Sequence, residues 1–234
     1  MRVLAITLVL LAACCGAAST EVLEFHRYEP TDLPSHLGWR FNPEGDEELT
    51  CWLQDGALHI DTMGQPDYTG PGVAYYHRPF RVLEGDPETI TVAMRARVTE
   101  IEASGDWRTS FALVVDWTWP DGTGDHFGFA IAPAHLFRWY NGHSFADLDA
   151  TQWHDYTMIC DLVHGLMTVQ VDGETIGTYE VDPAQGYRRV YVGDLMLDAN
   201  AHGEVAWLEY TVEGSPGVAV LPATLSAIRH LFAD

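Results

Sequence analysis

The sequence contains no lysine. Its 12 basic residues are all arginine, set against 34 aspartates and glutamates, and the formal net charge is −22 at pH 7. A chain so poor in positive charge lacks the basic surface that displaces counterions from nucleic acid, and anionic lipid repels it. Long apolar runs are missing as well. Beyond the first residues no stretch approaches the roughly 18 apolar residues that cross a bilayer. Cysteine is sparse, 4 in 234 residues, and neither Cys51 nor Cys160 has a CxxC or CxxH partner, which argues against a zinc site built on thiolates. No G-x-S-x-G elbow and no H-E-x-x-H motif occurs. Helical periodicity is nearly absent, so a βαβ architecture is not expected.

What is present begins with an address. Met1-Arg2 carries a positive charge, an apolar run follows from Val3 to Ala13, and small residues close the segment. These are the parts of a secretory signal over residues 1–18. Leu11-Ala12-Ala13-Cys14 also resembles a bacterial lipobox, with residues 1–13 as the signal and Cys14 as the lipidated residue; cleavage after Ala18 is the alternative. Either reading makes the protein extracytoplasmic: secreted, periplasmic or lipid-anchored at the cell surface, with that anchor as its only membrane contact. Export permits disulfides, and Cys51 and Cys160, each in a strand-like stretch, are the expected pair; two separate buried thiols are the alternative.

The body of the chain, residues 19–213, reads as β. Ile90 to Val98 alternates Ile90, Val92, Met94, Ala96 and Val98 with polar or small neighbours. Phe111, Leu113, Val115, Trp117 and Trp119 do the same, as do Phe127, Phe129 and Ile131, then Tyr156, Met158, Cys160 and Leu162, then Met167, Val169 and Val171. Turn dipeptides separate these windows, among them Asp55-Gly56, Asp121-Gly122, Asn141-Gly142 and Asp172-Gly173. Many short strands at regular spacing predict an all-β, two-sheet antiparallel sandwich. Glu100-Ile101-Glu102 reads as an acidic turn that ends a strand. Residues 214–234 read as a linker followed by a short amphipathic C-terminal helix.

Three segments carry a resemblance. Trp153-His154-Asp155-Tyr156-Thr157-Met158, followed by Leu166 to Val171 and Asp172-Gly173-Glu174, resembles the paired inner strands of concanavalin A-like lectin/glucanase domains, the jelly roll shared by laminin-G-like modules. Cys51 to Ile60 resembles the opening hairpin of that group, and Gly203 to Tyr210 its closing strand. The resemblance covers about residues 39–213. It implies a jelly-roll sandwich, a polysaccharide or glycan partner, and calcium as the cofactor to expect, if any. The glucanases of this fold set Glu-x-Asp-x-Glu or Glu-x-Asp-x-x-Glu along one strand; this chain has no such motif.

In a sandwich, the side chains out of phase with the core face outward. That logic selects Arg95, Arg97, Asp116, His126, Arg138 and Tyr140 as candidate ligand-binding residues, since arginine forks and carboxylates suit hydroxyl groups. A solvated face, with the arginines merely paired to Asp116, is the plainer alternative. Asp121 and Asp125, between Gly122, Gly124 and His126, are the candidate calcium ligands; Asp121 is equally explained as a turn residue. Asp194, Asp198 and Asn200 form a second oxygen-rich loop. Trp107, Trp119, Trp139, Tyr140 and the Tyr75-Tyr76 pair fall near strand ends, where they could stack on sugars; Trp119 and Trp139 fall on the core phase. The expectation is an exported, non-catalytic carbohydrate-binding or adhesion module. A glycoside hydrolase, lyase or keto-sugar hydrolase working on the same face is the first alternative, since the motifs also resemble exported domains linked to keto-sugar hydrolysis and the lectin-like modules of sialidases. A structural accessory domain without ligand is the second.

Overall fold

The structure, a computed structural model, describes residues 20–42, 46–64, 74–81, 86–103, 111–139, 144–183, 187–195 and 199–215. The expected signal segment with Cys14, the residues Trp107, Tyr140 and Asp198, the Asn141-Gly142 turn and the C-terminal helix lie outside them. The strands are β1 (Glu21–Tyr28), β2 (Arg40–Phe41), β3 (Cys51–Gln54), β4 (Ala57–Asp61), β5 (Tyr75–Pro79), β6 (Asp86–Ala103), β7 (Phe111–Thr118) and β8 (Gly124–Ala132). They continue with β9 (His135–Arg138), β10 (Ser144–Asp147), β11 (His154–Asp161), β12 (Leu166–Val171), β13 (Glu174–Glu180), β14 (Asp182–Pro183), β15 (Arg189–Asp194) and β16 (Ala199–Ser215). One short α-helix, α1 (Glu47–Thr50), is capped by the Asp46 carboxylate, which accepts from the Glu48 and Leu49 amides. Among the described residues no helix is long and apolar enough to cross a membrane.

These strands form two antiparallel sheets. Sheet A runs β13-β12-β11-β6-β16-β4-β3, with β1 on β16; sheet B runs β10-β9-β8-β7-β15-β5-β2, with β14 on β8. The expected sandwich is therefore present, and its cause is the predicted alternation. Ile90, Val92, Met94, Ala96 and Val98 are fully buried, as are Phe111, Leu113, Val115, Phe127, Phe129, Ile131, Met158 and Val169, in one core between the sheets. Asp55-Gly56 and Asp172-Gly173 both hold positive φ, as tight hairpin turns require. Gly203 has a packing reason: a Cβ there would lie 2.1 Å from Phe111 Cε2, so only glycine lets that core ring approach β16.

Two expectations fail here. Glu100 to Glu102 is not a turn; β6 continues through Ala103 and pairs with β16 to its end. The expected disulfide is not formed: Cys51 and Cys160 are both buried free thiols. Each faces the core of sheet A, but β6, β16 and β4 lie between β11 and β3. Four strand steps are about 19 Å, whereas a disulfide needs Cα atoms within about 7 Å.

Candidate functional site

Sheet B builds a groove on its outer face. Its floor is made of small side chains: Ala112 on β7 stands opposite Ala130 on β8, and Val114 stands opposite Gly128. A Cβ on Gly128 would lie 3.0 Å from Val114 Cγ2 and 3.1 Å from Trp139 Cβ, so glycine allows the tryptophan to lie down on the floor. Ala112, Val114, Ala130, Ala132, Phe137, Trp139 and Tyr191 form a second apolar cluster, separate from the core, with Tyr75 and Leu195 packed against it. Over this cluster opens a cavity of about 250 Å³ lined by Tyr75, Asp116, His126, Trp139, Tyr187 and Tyr191 together with Val114 and Leu195. A second hollow of about 490 Å³ is lined by residues that include Ala132, His135, Phe137 and Ser144.

The polar groups of the groove follow from register. Val190 and Val192 fill the core, so Arg189 and Tyr191 on the same strand face out. Arg189 stands opposite Asp116, and Asp116 opposite His126. His126 Nδ1 and Asp116 Oδ1 share a short hydrogen bond, with both side chains only 11% and 13% exposed. The Arg189 guanidinium lies 3.7 Å above the Tyr187 ring. Tyr191 has its hydroxyl held well above the usual phenol range, first by burial and then by the Asp116 carboxylate beside it. His77, whose ring is 5.9 Å from that of Tyr191, is lowered to about 4 by burial and by Arg189 and Arg40. At neutral pH burial thus keeps the His77 imidazole neutral and the Tyr191 phenol protonated, beside the Asp116–His126 pair.

The six candidate ligand residues do not form one site. Asp116 and His126 meet in this groove. Arg95 and Arg97 lie on β6, on the outer face of sheet A, at the opposite side of the sandwich. There Arg95 pairs with Asp155 at 2.9 Å and Arg97 with Glu204 at 2.9 Å, not with Asp116. The correction has a simple cause: β6 and β7 are consecutive strands in different sheets. Arg138 stands opposite Phe129, a core residue, and so takes the inward phase, contrary to expectation. Trp139, expected in the core, is instead part of the groove.

Of the candidate calcium ligands, Asp121 is spent on its own turn, where its carboxylate accepts from the Thr123 amide at 2.9 Å and the Thr123 hydroxyl at 2.6 Å. Asp125 is half-buried, and burial raises its carboxyl, which disfavours the charged form that calcium takes. Asp194 is buried and accepts a short hydrogen bond from the Thr62 hydroxyl. Among the described residues, neither loop gathers three metal-ligating side chains. Sequence reasoning missed His77, Tyr187, Arg189 and Tyr191. The alternation around Tyr76, Val190 and Val192 carried the signal for three of them; Tyr187 precedes β15 and had none.

The two sheets and their order give the chain a concanavalin A-like jelly-roll fold. No protein-family model and no curated protein sequence matches it. Solved structures do. It is similar to a sialidase at TM-score 0.51 and 10% identity, over 91% of this chain and 21% of that one. It is similar at TM-score 0.51 and 13% identity, over 82% and 99% of the two chains, to a structure from work on endo-acting O-glycanases with which human gut bacteria initiate mucin breakdown. An alginate lyase of polysaccharide lyase family 7 aligns at TM-score 0.49 and 14% identity, over 78% and 99%. At such identities the likeness establishes the fold alone.

Proposed function

We propose that this chain is an exported, non-catalytic glycan-binding module that holds its ligand in the groove of sheet B. The carrying observation is the groove itself: a floor of alanine and glycine overlaid by Trp139, a lining of Tyr75, Tyr187 and Tyr191, and the Asp116–His126 pair at its edge. Sugars present apolar ring faces and hydroxyl edges. Aromatic walls meet the first, while a carboxylate acceptor and an arginine fork meet the second. The proteins of like fold that act on glycans support the partner class, and the N-terminal sequence pattern supports export.

Binding is favoured over turnover by the described lining of the cavity. Hydrolysis by paired carboxylates needs two of them about 5–9.5 Å apart, and the described lining of the cavity supplies Asp116 only. Tyr191 is held protonated and His77 is a weak base, so neither is set to abstract a proton from carbon. The enzyme reading keeps one observation in its favour: Asp116, His126 and Tyr191 form a contiguous acid–base group facing the groove. The test is to mix the purified protein with a panel of neutral and acidic polysaccharides, following both retention and release of reducing or unsaturated ends. Retention without release is expected. Release that disappears in His126→Ala would establish the enzyme reading, and absence of both would leave a structural accessory domain.

A further inference from the structure

The outer face of sheet A holds a cluster that the groove does not use. Leu58 and Ile60 of β4 point into the core, so His59 points out. On β16, Gly203 sits over the Phe111 ring, and His202 and Glu204 take the outward phase on either side of it. Glu204 stands directly opposite His59. Residues 143 positions apart are thereby brought together: His59 Nδ1 lies 3.2 Å from His202 Nε2, and His59 Nε2 lies 3.9 Å from Glu204 Oε2. One ligand atom from each of the three lies within 4.8 Å of the others.

This cluster is unusually well buried for an outer sheet face. His59 is 8% exposed and Glu204 is 5% exposed. Trp52 on β3 covers the two histidines, its ring stacked on His59 at 5.1 Å and 12°, and 5.8 Å from His202. His59 Nε2 is buried and makes no hydrogen bond, although it faces the Glu204 carboxylate. A polar atom this deep normally has a partner, and 3.9 Å is too long for a hydrogen bond.

We propose that His59, His202 and Glu204 form a binding site for a first-row divalent cation, with zinc the best match. Two imidazoles and one carboxylate are the donor types zinc takes, and three protein ligands leave a fourth position open. Calcium and magnesium prefer oxygen throughout. With bonds of about 2.0–2.2 Å, tetrahedral ligand atoms sit roughly 3.3 Å apart. His59 can give an ion only one of its ring nitrogens, so the 3.2 Å contact of Nδ1 with His202 and the 3.9 Å gap of Nε2 to Glu204 are not two edges of one site; the three ligand atoms, within 4.8 Å of one another, must draw in by up to about 1.5 Å as the rings turn. An ion held by His59 Nε2 would give that nitrogen its missing partner and tie β4 to β16.

Arg97 supplies a second, opposite handle. Its Nη2 donates to Glu204 Oε2 at 2.9 Å while its guanidinium stacks 4.9 Å from the Trp153 ring. A cation on Glu204 must share that carboxylate with a neighbouring positive charge. Arg97 therefore weakens the site, and removing it strengthens metal binding. A purely structural hydrogen-bond cluster would show no such gain.

The experiment uses the full chain, stripped with a chelator and titrated with zinc chloride by calorimetry and tryptophan fluorescence, with cobalt(II) absorption to report the ligand geometry. One tight ion per chain is expected. His59→Gln and Glu204→Gln should each weaken it at least 100-fold, and His202→Gln, at a half-buried position that tolerates an amide, should do the same in a protein that melts like the wild type. Arg97→Gln should tighten it several-fold. Trp52→Phe should keep the affinity while losing most of the cobalt-induced quenching. Zinc taken up equally by the wild type and the three ligand variants, as a surface carrying 34 acidic residues and 11 histidines could do nonspecifically, would overturn the proposal. So would the absence of any tight ion in both the wild type and Arg97→Gln.

Discussion

Replacing Asp116 separates the groove from every other face of the molecule. The carboxylate is 13% exposed and accepts from His126 Nδ1. A hydrogen bond to a charged group contributes about 1.5–3 kcal/mol net, and partial exposure places this one toward the low end, at about 1.5–2 kcal/mol. With a urea dependence of about 2–3 kcal/mol per molar for a domain of this size, Asp116→Ala should lower the unfolding midpoint by about 0.5–1 M. Asp116→Asn keeps the shape and an acceptor oxygen, so its loss should be smaller. Binding should suffer more than folding does. If the same carboxylate accepts from a sugar hydroxyl, its loss should raise Kd about 10- to 150-fold for both variants. The assay is affinity electrophoresis or calorimetry on whichever polysaccharide the protein retains, with chemical denaturation alongside. An unchanged Kd in Asp116→Asn, together with a weakened one in Arg95→Ala, would refute the argument and move the ligand to sheet A.

Further outcomes follow from the same structure. Gly203→Ala would drive a methyl group to 2.1 Å from the fully buried Phe111 ring, and overpacking of this kind should cost about 1–3 kcal/mol in denaturant unfolding. Cys51 and Cys160 should resist thiol reagents in the native state and react once unfolded, as mapped by peptide mass; a Cys51–Cys160 disulfide peptide would contradict the sheet order. Stability should fall as the pH drops from about 6.5 toward about 4, because His26 and His77 are both lowered to about 4 in the folded protein and the unfolded chain binds those protons first. His26 has a visible reason to stay neutral beyond its burial and the nearby Arg78 and Arg81: the Trp39 indole donates to its Nε2 at 3.1 Å, and that nitrogen cannot accept once protonated. With solvent screening each histidine should contribute about 1–2 kcal/mol, seen as a drop in urea midpoint between about pH 7.5 and about pH 4.5.

The strands were legible because alternation is a local property. Ile90 to Val98 could be assigned a core face from nine consecutive residues, and the Asp-Gly turns announced their own geometry. What could not be read was the partition of strands between sheets. Arg97 and Asp116 are 19 positions apart and both outward, yet β6 and β7 belong to opposite sheets, so one expected site became two faces. The same gap produced the disulfide error: Cys51 and Cys160 both point into the core, but three strands stand between them. Arg138 failed for a different reason. β9 is only four residues long, and its phase is set by pairing with Phe129 across a tight turn and not by any periodicity of its own. His202-Gly203-Glu204 did carry a signal, since a His-x-Glu in a strand puts two ligating groups on one side. Its partner His59 could be found only once β4 was placed beside β16.

Oxidative footprinting of the protein with and without a retained polysaccharide tests directly which face holds the ligand. Tyr187 is 50% exposed at the mouth of the groove, so its labelling is a sensitive report, and Tyr75 lies beside it in the same lining. Protection of Tyr187 and Tyr75 is expected on binding, with no change at Trp52 and Trp153 on the other sheet. Protection confined to Trp52 and Trp153, or a bound glycan that shields neither face, would contradict a ligand in the groove.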